Sequence, residues 1–345
     1  MKQNIIISQN ISNDLKSFLN KNNFSSTIIL VDENTEKYCL PLINYEELKN
    51  LLILKINSGE KNKRIETVIQ IWDKLISKKI DKNAIFINLG GGLISDIGNF
   101  VASTYKRGIS CINIPTTLMA QVDASIGGKN GINFKEIKNI IGTINHNITI
   151  FVYPEFINSQ EIKDIKSGFG EMIKHSLLVG GQIWEETKKI KNIDISKIKK
   201  LIPQNIKIKQ YFVEKDPYDK KERHALNLGH TIGHALESIS FESKKTITHG
   251  EAVVNGIVVE AIISKQKKFL NKKKFDEITS YIISHYKLQK IKSPDKILSF
   301  LKNDKKNSFG HLYFTLLKDI GQYLINVKVN EDEIKKAISE FNSLI

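Results

Sequence analysis

Hydrophobic and polar residues alternate differently in the two halves of this chain. From the start to about residue 160, short β-branched runs alternate with amphipathic stretches, the pattern of an α/β domain on a largely parallel sheet. Ser26 to Val31 predicts a strand ending at Asp32, and Leu51 to Ile56 a second, ending in Ser58-Gly59-Glu60. Asn62 to Ser77 then places Ile65, Val68, Ile69, Trp72, Leu75 and Ile76 on one helix face, with charges opposite. Ala84 to Leu89 is a strand that runs into Gly90-Gly91-Gly92, followed by a helix over Leu93 to Ser103. Ser110 to Ile114 stops at Pro115-Thr116-Thr117, and Ile148 to Val152 stops at Pro154. Ligands of open α/β sheets collect beyond the carboxyl ends of the strands. Asp32, Glu60, the glycine triplet and the two threonines are therefore candidates for one crevice.

After about residue 160 the pattern changes to long amphipathic helices punctuated by Pro203, Pro217 and Pro294. One interruption, His311 to Val329, has the form of a hairpin. The expected organisation is an α/β domain over 1–160 and an α-helical domain over 161–345, with no internal repeat.

Composition adds bounds to this picture. The formal charge of +15 raises the question of a nucleic-acid partner, but the lysines are scattered, as at Lys188, Lys189 and Lys191. Scattered lysine is a solvated surface, so nucleic acid is not expected, though the charge helps draw in an anionic substrate. Cys39 and Cys111 lie far apart and outside any C-x-x-C spacing, which fits a reducing cytoplasm. The apolar run Ile5 to Ile7 is too short for a signal sequence. No membrane span is expected either, since even Ala252 to Ser264 carries Asn255 and Glu260.

Several strings carry chemistry. Gly90-Gly-Gly-Leu-Ile-Ser-Asp96 closes a strand and opens a helix, so its backbone N–H groups can receive a phosphate, although it is no G-x-G-x-x-G fingerprint. A carboxylate at Asp32 can bind ribose hydroxyls and repel a 2'-phosphate, which favours NAD over NADP. Gln121-Val-Asp-Ala-Ser-Ile-Gly-Gly-Lys129, with Lys138-Asn139 shortly after, reads as a glycine-rich anion-binding loop. Arg107, Lys209, Arg223 and Lys305-Lys306 add positive charge, and any one of them alone is more often a solvated surface residue. Asn227-Leu-Gly-His-Thr-Ile-Gly-His234 sets His230 and His234 at i and i+4, a spacing a divalent metal can bridge. Gly229 and Gly233 each cost a helix roughly 1 kcal/mol relative to Ala, so something approaches that backbone closely. His249-Gly-Glu251 supplies a third histidine, and Glu171, in Gly168-Phe-Gly-Glu-Met-Ile-Lys174, a carboxylate. One carboxylate with two histidines makes an open, catalytic type of metal site.

Taken in order, these strings resemble the 3-dehydroquinate synthases, a family of sugar phosphate cyclases. Ser58-Gly-Glu-Lys-Asn-Lys63, Ala102-Ser-Thr-Tyr-Lys-Arg-Gly108, Ile114-Pro-Thr-Thr117 and the strings above carry the likeness over nearly the whole chain. The resemblance implies a Rossmann-like NAD-binding domain, an α-helical metal-binding domain, an active site in the cleft and a homodimer. Its implied metal ligands are Glu171, His230 and His249, for Zn2+ or Co2+, with His234 turned to substrate; here it departs from the i, i+4 reading. NAD would be held by Asp32, Glu60, Lys63, Gly91, Gly92, Asp96, Thr116, Thr117 and Asp123, with Lys138, Phe156, Ser159 and Asp164 near it. The substrate's phosphate and carboxylate would fall to Arg107, Lys129, Asn139, Lys174, Lys209, Arg223, Asn227, His234 and one of Lys305 and Lys306. The implied reaction converts 3-deoxy-arabino-heptulosonate 7-phosphate to 3-dehydroquinate by transient oxidation, β-elimination of phosphate, reduction and aldol closure. Two positions depart from the family pattern: Asp219, where Glu is commoner, and Asn99, where Gly is usual. A metal-dependent polyol dehydrogenase is the nearest competitor, and Arg107, Lys129 and Lys138-Asn139 favour the cyclase. Cyclases of other sugar phosphates differ in only a few pocket residues.

Overall fold

A computed structural model describes residues 3–45, 48–135, 137–242, 247–303 and 312–345. The chain divides into two compact units, Met1–Glu161 and Ile162–Ile345.

The first unit is built on six strands: β1 (Ile5–Ile7), β2 (Thr27–Asp32), β3 (Leu51–Ile56), β4 (Ile85–Gly90), β5 (Ser110–Pro115) and, after a separate hairpin β6 (Lys129–Phe134) and β7 (Ile137–Ile144), β8 (Thr149–Val152). Their spatial order is β1-β8-β5-β4-β2-β3, and every neighbouring pair is parallel. All six residues of β2 and of β4 are buried, as expected of parallel strands covered on both faces. Strand alternation divides them between two cores. Ile28, Leu30 and Phe86 pack with Val68, Ile71 and Leu75 of helix Ile65–Ser77 and with Ile94 and Ile97 of helix Gly92–Thr104. Ile29, Val31, Ile85 and Ile87 pack on the other face with Ile11 and Leu15 of helix Ile11–Asn22.

From β2 the chain moves outward to β3, and from β4 it moves the opposite way to β5, so the topological switch lies between β2 and β4. Crevices for nucleotides form at such a point. Two segments carry structure that the sequence reading did not assign. The three-residue run Ile5–Ile7 is an edge strand, pairing with β8 from Ile5↔Ile150 to Ile7↔Val152. The glycine-rich stretch from Gln121 is a π-helical turn, Ala120–Ala124, that leads into the β6/β7 hairpin. Glycines at Gly131 and Gly142 face each other in that hairpin's register, which periodicity could not reveal.

Among the described residues, the second unit is helical apart from one hairpin, Leu312–Asp319 with Gln322–Val329, whose predicted start at His311 lies outside them. Its central helix, His249–Gln266, is buried without a break from Ala252 to Ser264, Asn255 and Glu260 included, so other elements close over it on every side. Helices Ile162–Val179, His230–Glu242, Lys272–His285 and Glu331–Leu344 all pack against it. Pro203 does not break a helix: it sits inside the helix Ile195–Lys215. Pro294 opens a helix, where its missing N–H costs nothing. Among the described residues no helix is long and apolar enough to cross a membrane.

Candidate functional site

The switch point of the first unit carries Asp32 at the end of β2 and the glycine triplet at the end of β4. Gly91 is the N-cap of helix Gly92–Thr104, and no side chain caps that terminus, so its first N–H groups are available to an anion. Asp32 has a structural task as well: its Oδ1 accepts from the backbone N–H of Asn34 at 3.0 Å and of Thr35 at 2.8 Å, capping helix Glu33–Tyr38. Burial pushes the Cys39 thiol up to about 11, against hydrogen bonds with Ser159 and Thr116, while the charge of Asp32 adds to the rise. That thiol therefore places Asp32, Thr116 and Ser159 in one neighbourhood. The Thr117 hydroxyl accepts from the Ala120 N–H at 3.2 Å, and Asp123 lies on the π-helical turn.

Lys63 ties three segments together. Its ammonium pairs with Asp96 on the helix after the glycine triplet and donates to Asn139 Oδ1 on β7. Glu60 Oε1 accepts from Asn133 Nδ2 at 2.8 Å, and Asn133 Oδ1 in turn accepts from the Asn139 N–H at 2.9 Å. Residues assigned separately to cofactor and substrate thus share one network. Lys129 and Lys138 are exposed on the hairpin. Arg107 is exposed too and has φ 61, directly after Lys106 at φ 49, a left-handed pair of non-glycine residues. Phe156 is buried in the core against Tyr153, and Asp164 lies exposed in the second unit, on the first turn of helix Ile162–Val179.

In the second unit three helices deliver three side chains to one point. Glu171 Oε1 lies 3.3 Å from His230 Nε2 and 3.0 Å from His249 Nε2. One ligand atom from each residue comes within 4.8 Å of the others. The neighbouring glycines are what bring the backbones close enough. A Cβ on Gly250, beside His249, would stand 1.9 Å from the Ser167 carbonyl oxygen, and one on Gly170, beside Glu171, 2.7 Å from that of Gly250. On the other side, Gly229, beside His230, and Gly256 leave no room for a Cβ between them, at 2.0 Å from a Gly256 Cβ to the Gly229 oxygen. What approaches the glycines of the histidine string is the backbone of the central helix.

Each of these two histidines has its second nitrogen engaged. His230 Nδ1 faces the Leu228 carbonyl at 3.2 Å, and His249 Nδ1 faces Glu237 Oε2 at 3.3 Å. These contacts hold both rings with Nε2 toward Glu171, the usual support of a metal-binding imidazole. Burial works against the charge of Glu171, yet the Lys174 ammonium beside it and both imidazoles hold its carboxyl well below the usual range. Burial also opposes charge on His249, but the Glu171 and Glu237 carboxylates outweigh it and push that imidazole up to about 10. Burial and the Lys174 charge push His230 down to about 4. The cluster therefore draws positive charge to a point between carboxylates and imidazoles, and a borderline divalent cation such as Zn2+ fits that donor set. His234 stands beside this set, its ring centroid 5.3 Å from that of His230, and contributes no atom to it.

The remaining predicted residues are distributed around this unit. Lys174 is fully buried, Lys209 is buried on helix Ile195–Lys215, and Asn227 ends the 3-10 turn Glu222–Asn227 that leads to His230. Arg223, buried in that turn, donates from Nη1 to the Pro217 carbonyl at 3.2 Å. Lys305 and Lys306 lie outside the described residues. Three carboxylates escaped the sequence reading. Asp216 accepts from the N–H groups of Lys220, Lys221 and Arg223. Glu260 accepts from the Gly229 N–H at 2.6 Å. Glu237 had a visible signal, standing at i+7 from His230 on the stripe that also bears His234. Of the two departures, Asp219 has φ 56, and the Asn99 side chain accepts from Asn88 Nδ2 at 2.9 Å in a buried amide cluster with Asn113.

Two solved sugar phosphate cyclases share this fold. Crystalline 2-deoxy-scyllo-inosose synthase, complexed with carbaglucose-6-phosphate, NAD+ and Co2+, matches with a TM-score of 0.88 at 23% identity, over 97% of this chain and 96% of that one. The 2-epi-5-epi-valiolone synthase of Streptomyces hygroscopicus subsp. jinggangensis 5008, with NAD+ and Zn2+ bound, matches with a TM-score of 0.86 at 19% identity, over 100% and 98%. Such identities speak for fold alone. Sequence narrows it further: the family model of the 3-dehydroquinate synthase N-terminal domain matches residues 53–167 and that of the C-terminal domain residues 168–307. The 3-dehydroquinate synthase of Parabacteroides distasonis is 36% identical over 342 residues, 98% of this chain and 97% of that protein. The chain belongs to the 3-dehydroquinate synthase family.

Proposed function

We propose that this chain is an NAD- and divalent-metal-dependent lyase of the shikimate pathway, converting 3-deoxy-arabino-heptulosonate 7-phosphate to 3-dehydroquinate and inorganic phosphate. The observation that carries this reading is the convergence of Glu171, His230 and His249 in a chain that the family's models match over residues 53–307. When bound, NAD would take and return a hydride at C5 and Zn2+ or Co2+ would polarise the C5 hydroxyl, giving the neighbouring C6 proton the acidity that phosphate elimination needs.

The chain's own side chains bind and orient. Gly91, Gly92, Thr116 and Thr117 receive the cofactor's phosphates, Asp32 its ribose, and Glu60, Lys63, Asp96, Asp123, Lys138, Ser159 and Asp164 surround it. Phe156, assigned near the cofactor, has its side chain buried in the core against Tyr153. Arg107, Lys129, Asn139, Lys174, Lys209, Arg223, Asn227 and His234, with Lys305 or Lys306, hold the substrate's phosphate and carboxylate. These cations position the leaving group; the departing phosphate itself can collect the C6 proton. The enzyme works in the cytoplasm as a homodimer.

The test is release of inorganic phosphate from the heptulosonate phosphate with catalytic NAD, abolished by a chelator and restored by Zn2+ or Co2+. NADH accumulating in proportion to substrate would instead make the chain a polyol dehydrogenase. Light scattering in solution tests the dimer.

A further inference from the structure

We propose that Glu237 is a positioning residue of the metal centre, holding His249 through Nδ1 so that Nε2 is presented beside Glu171; this rests on the reading of Glu171, His230 and His249 as metal ligands. The two imidazoles are fixed by different means. His230 leans on a carbonyl of its own segment, Leu228, two residues back, at 3.2 Å. His249 is held from another helix, by a carboxylate at 3.3 Å. Only the backbone of His249 is secured by its own element, through the reciprocal cap in which Thr248 and Glu251 satisfy each other's N–H groups. Its side chain remains 32% exposed, so without a partner at Nδ1 the imidazole could turn away from Glu171.

A carboxylate does more than a carbonyl at that position. It fixes the ring's orientation and, being charged, makes the opposite nitrogen a stronger donor to a cation. Helix His230–Glu242 thus carries a ligand at i, a neighbour at i+4 and an orienting carboxylate at i+7 on one stripe. The difference between the two histidines also assigns their weakness: His249 is the ligand that depends on a replaceable side chain.

The experiment measures Zn2+ affinity by competition with a chromogenic chelator, and the visible spectrum of the Co2+-loaded protein, in wild type, Glu237→Gln and Glu237→Asp. Removing such an outer partner costs about 10–100-fold in metal affinity. Glu237→Gln should show that loss and an altered Co2+ spectrum while keeping the thermal midpoint of the metal-free protein, and Glu237→Asp should recover part of it. Wild-type affinity in Glu237→Gln would overturn the proposal, as would a loss matched by a lowered metal-free midpoint that Glu237→Asp does not relieve. If wild type takes up no ion, the metal-centre reading fails together with the role of Glu237; if wild type binds and Glu237→Gln binds equally, only the latter fails.

Discussion

The two units build their candidate sites by different physical means. In the first, the residues sit on turns after parallel strands, and several also serve the fold: Asp32 caps a helix, and Lys63 joins Asp96 to β7. In the second, the residues are set into a helical core, where glycines let three backbones touch and Glu171 is fully buried. A strand-end site tolerates local change because its supporting sheet is independent of it. A core site does not, because the contacts that place its ligands are the contacts that hold the unit together.

The sharpest break of that comparison is Glu171→Gln. An amide cannot replace the carboxylate between Lys174, His230 and His249, so we expect bound metal to be lost and turnover to fall by about three orders of magnitude, some 4 kcal/mol. Metal analysis of the purified variant checks it; full occupancy would remove Glu171 from the ligand set. Next in size is Gly250→Ala. Its Cβ would meet the Ser167 carbonyl at 1.9 Å, and overpacking of this kind costs about 1–3 kcal/mol. Thermal unfolding should register that loss and metal affinity should fall with it, whereas a stable variant with normal affinity would show that helix contact and ligand placement are separable.

How much of this was legible in the sequence follows the same division. The strand-end turns were readable because parallel strands buried on both faces leave continuous apolar runs, and Asp32 and Gly90–Gly92 stand where those runs stop. The hairpin β6/β7 was not, since its glycines and exposed isoleucines mimic a loop. In the helical unit the i, i+4 spacing of His230 and His234 suggested that both bind metal. The structure gathers His249 in place of His234, because the second helix meets the first at Gly229 and Gly256, a contact between residues far apart in sequence. Glu237 needed the same contact before its i+7 position acquired meaning. Residues defined by local periodicity could be read from the pattern, whereas Glu171, His230 and His249, which helix crossings bring together, were joined into one set only through the resemblance.

Charge also holds the helical unit away from its candidate site. Glu277 accepts from Trp184 Nε1 at 2.7 Å, from Lys188 at 2.8 Å and from Lys274 at 3.0 Å. Burial opposes its charge, but those donors outweigh burial and bring the carboxyl down to about 2. A carboxyl depressed in the folded state contributes stability above its unfolded pKa of roughly 4.3, and that contribution is lost as pH falls toward the folded value. On the order of 1–3 kcal/mol is at stake after allowing for solvent at this partly exposed group. Denaturation of wild type and Glu277→Gln should differ at pH 7 and converge only as pH falls toward about 2; a gap independent of pH would assign the effect to packing.

The smallest effect separates the two tasks of Asp32. Asparagine caps helices about as well as aspartate, whereas alanine forfeits about 1 kcal/mol. Asp32→Asn should therefore keep the stability of the first unit within a few tenths of a kcal/mol while raising the KM for NAD and relaxing discrimination against NADP, because only the charge is gone. Asp32→Ala should lose both. If Asp32→Asn leaves the NAD dependence untouched and only Asp32→Ala has an effect, through unfolding, then Asp32 is a capping residue alone, and the strand-end site must draw its ribose contact from elsewhere on the switch point.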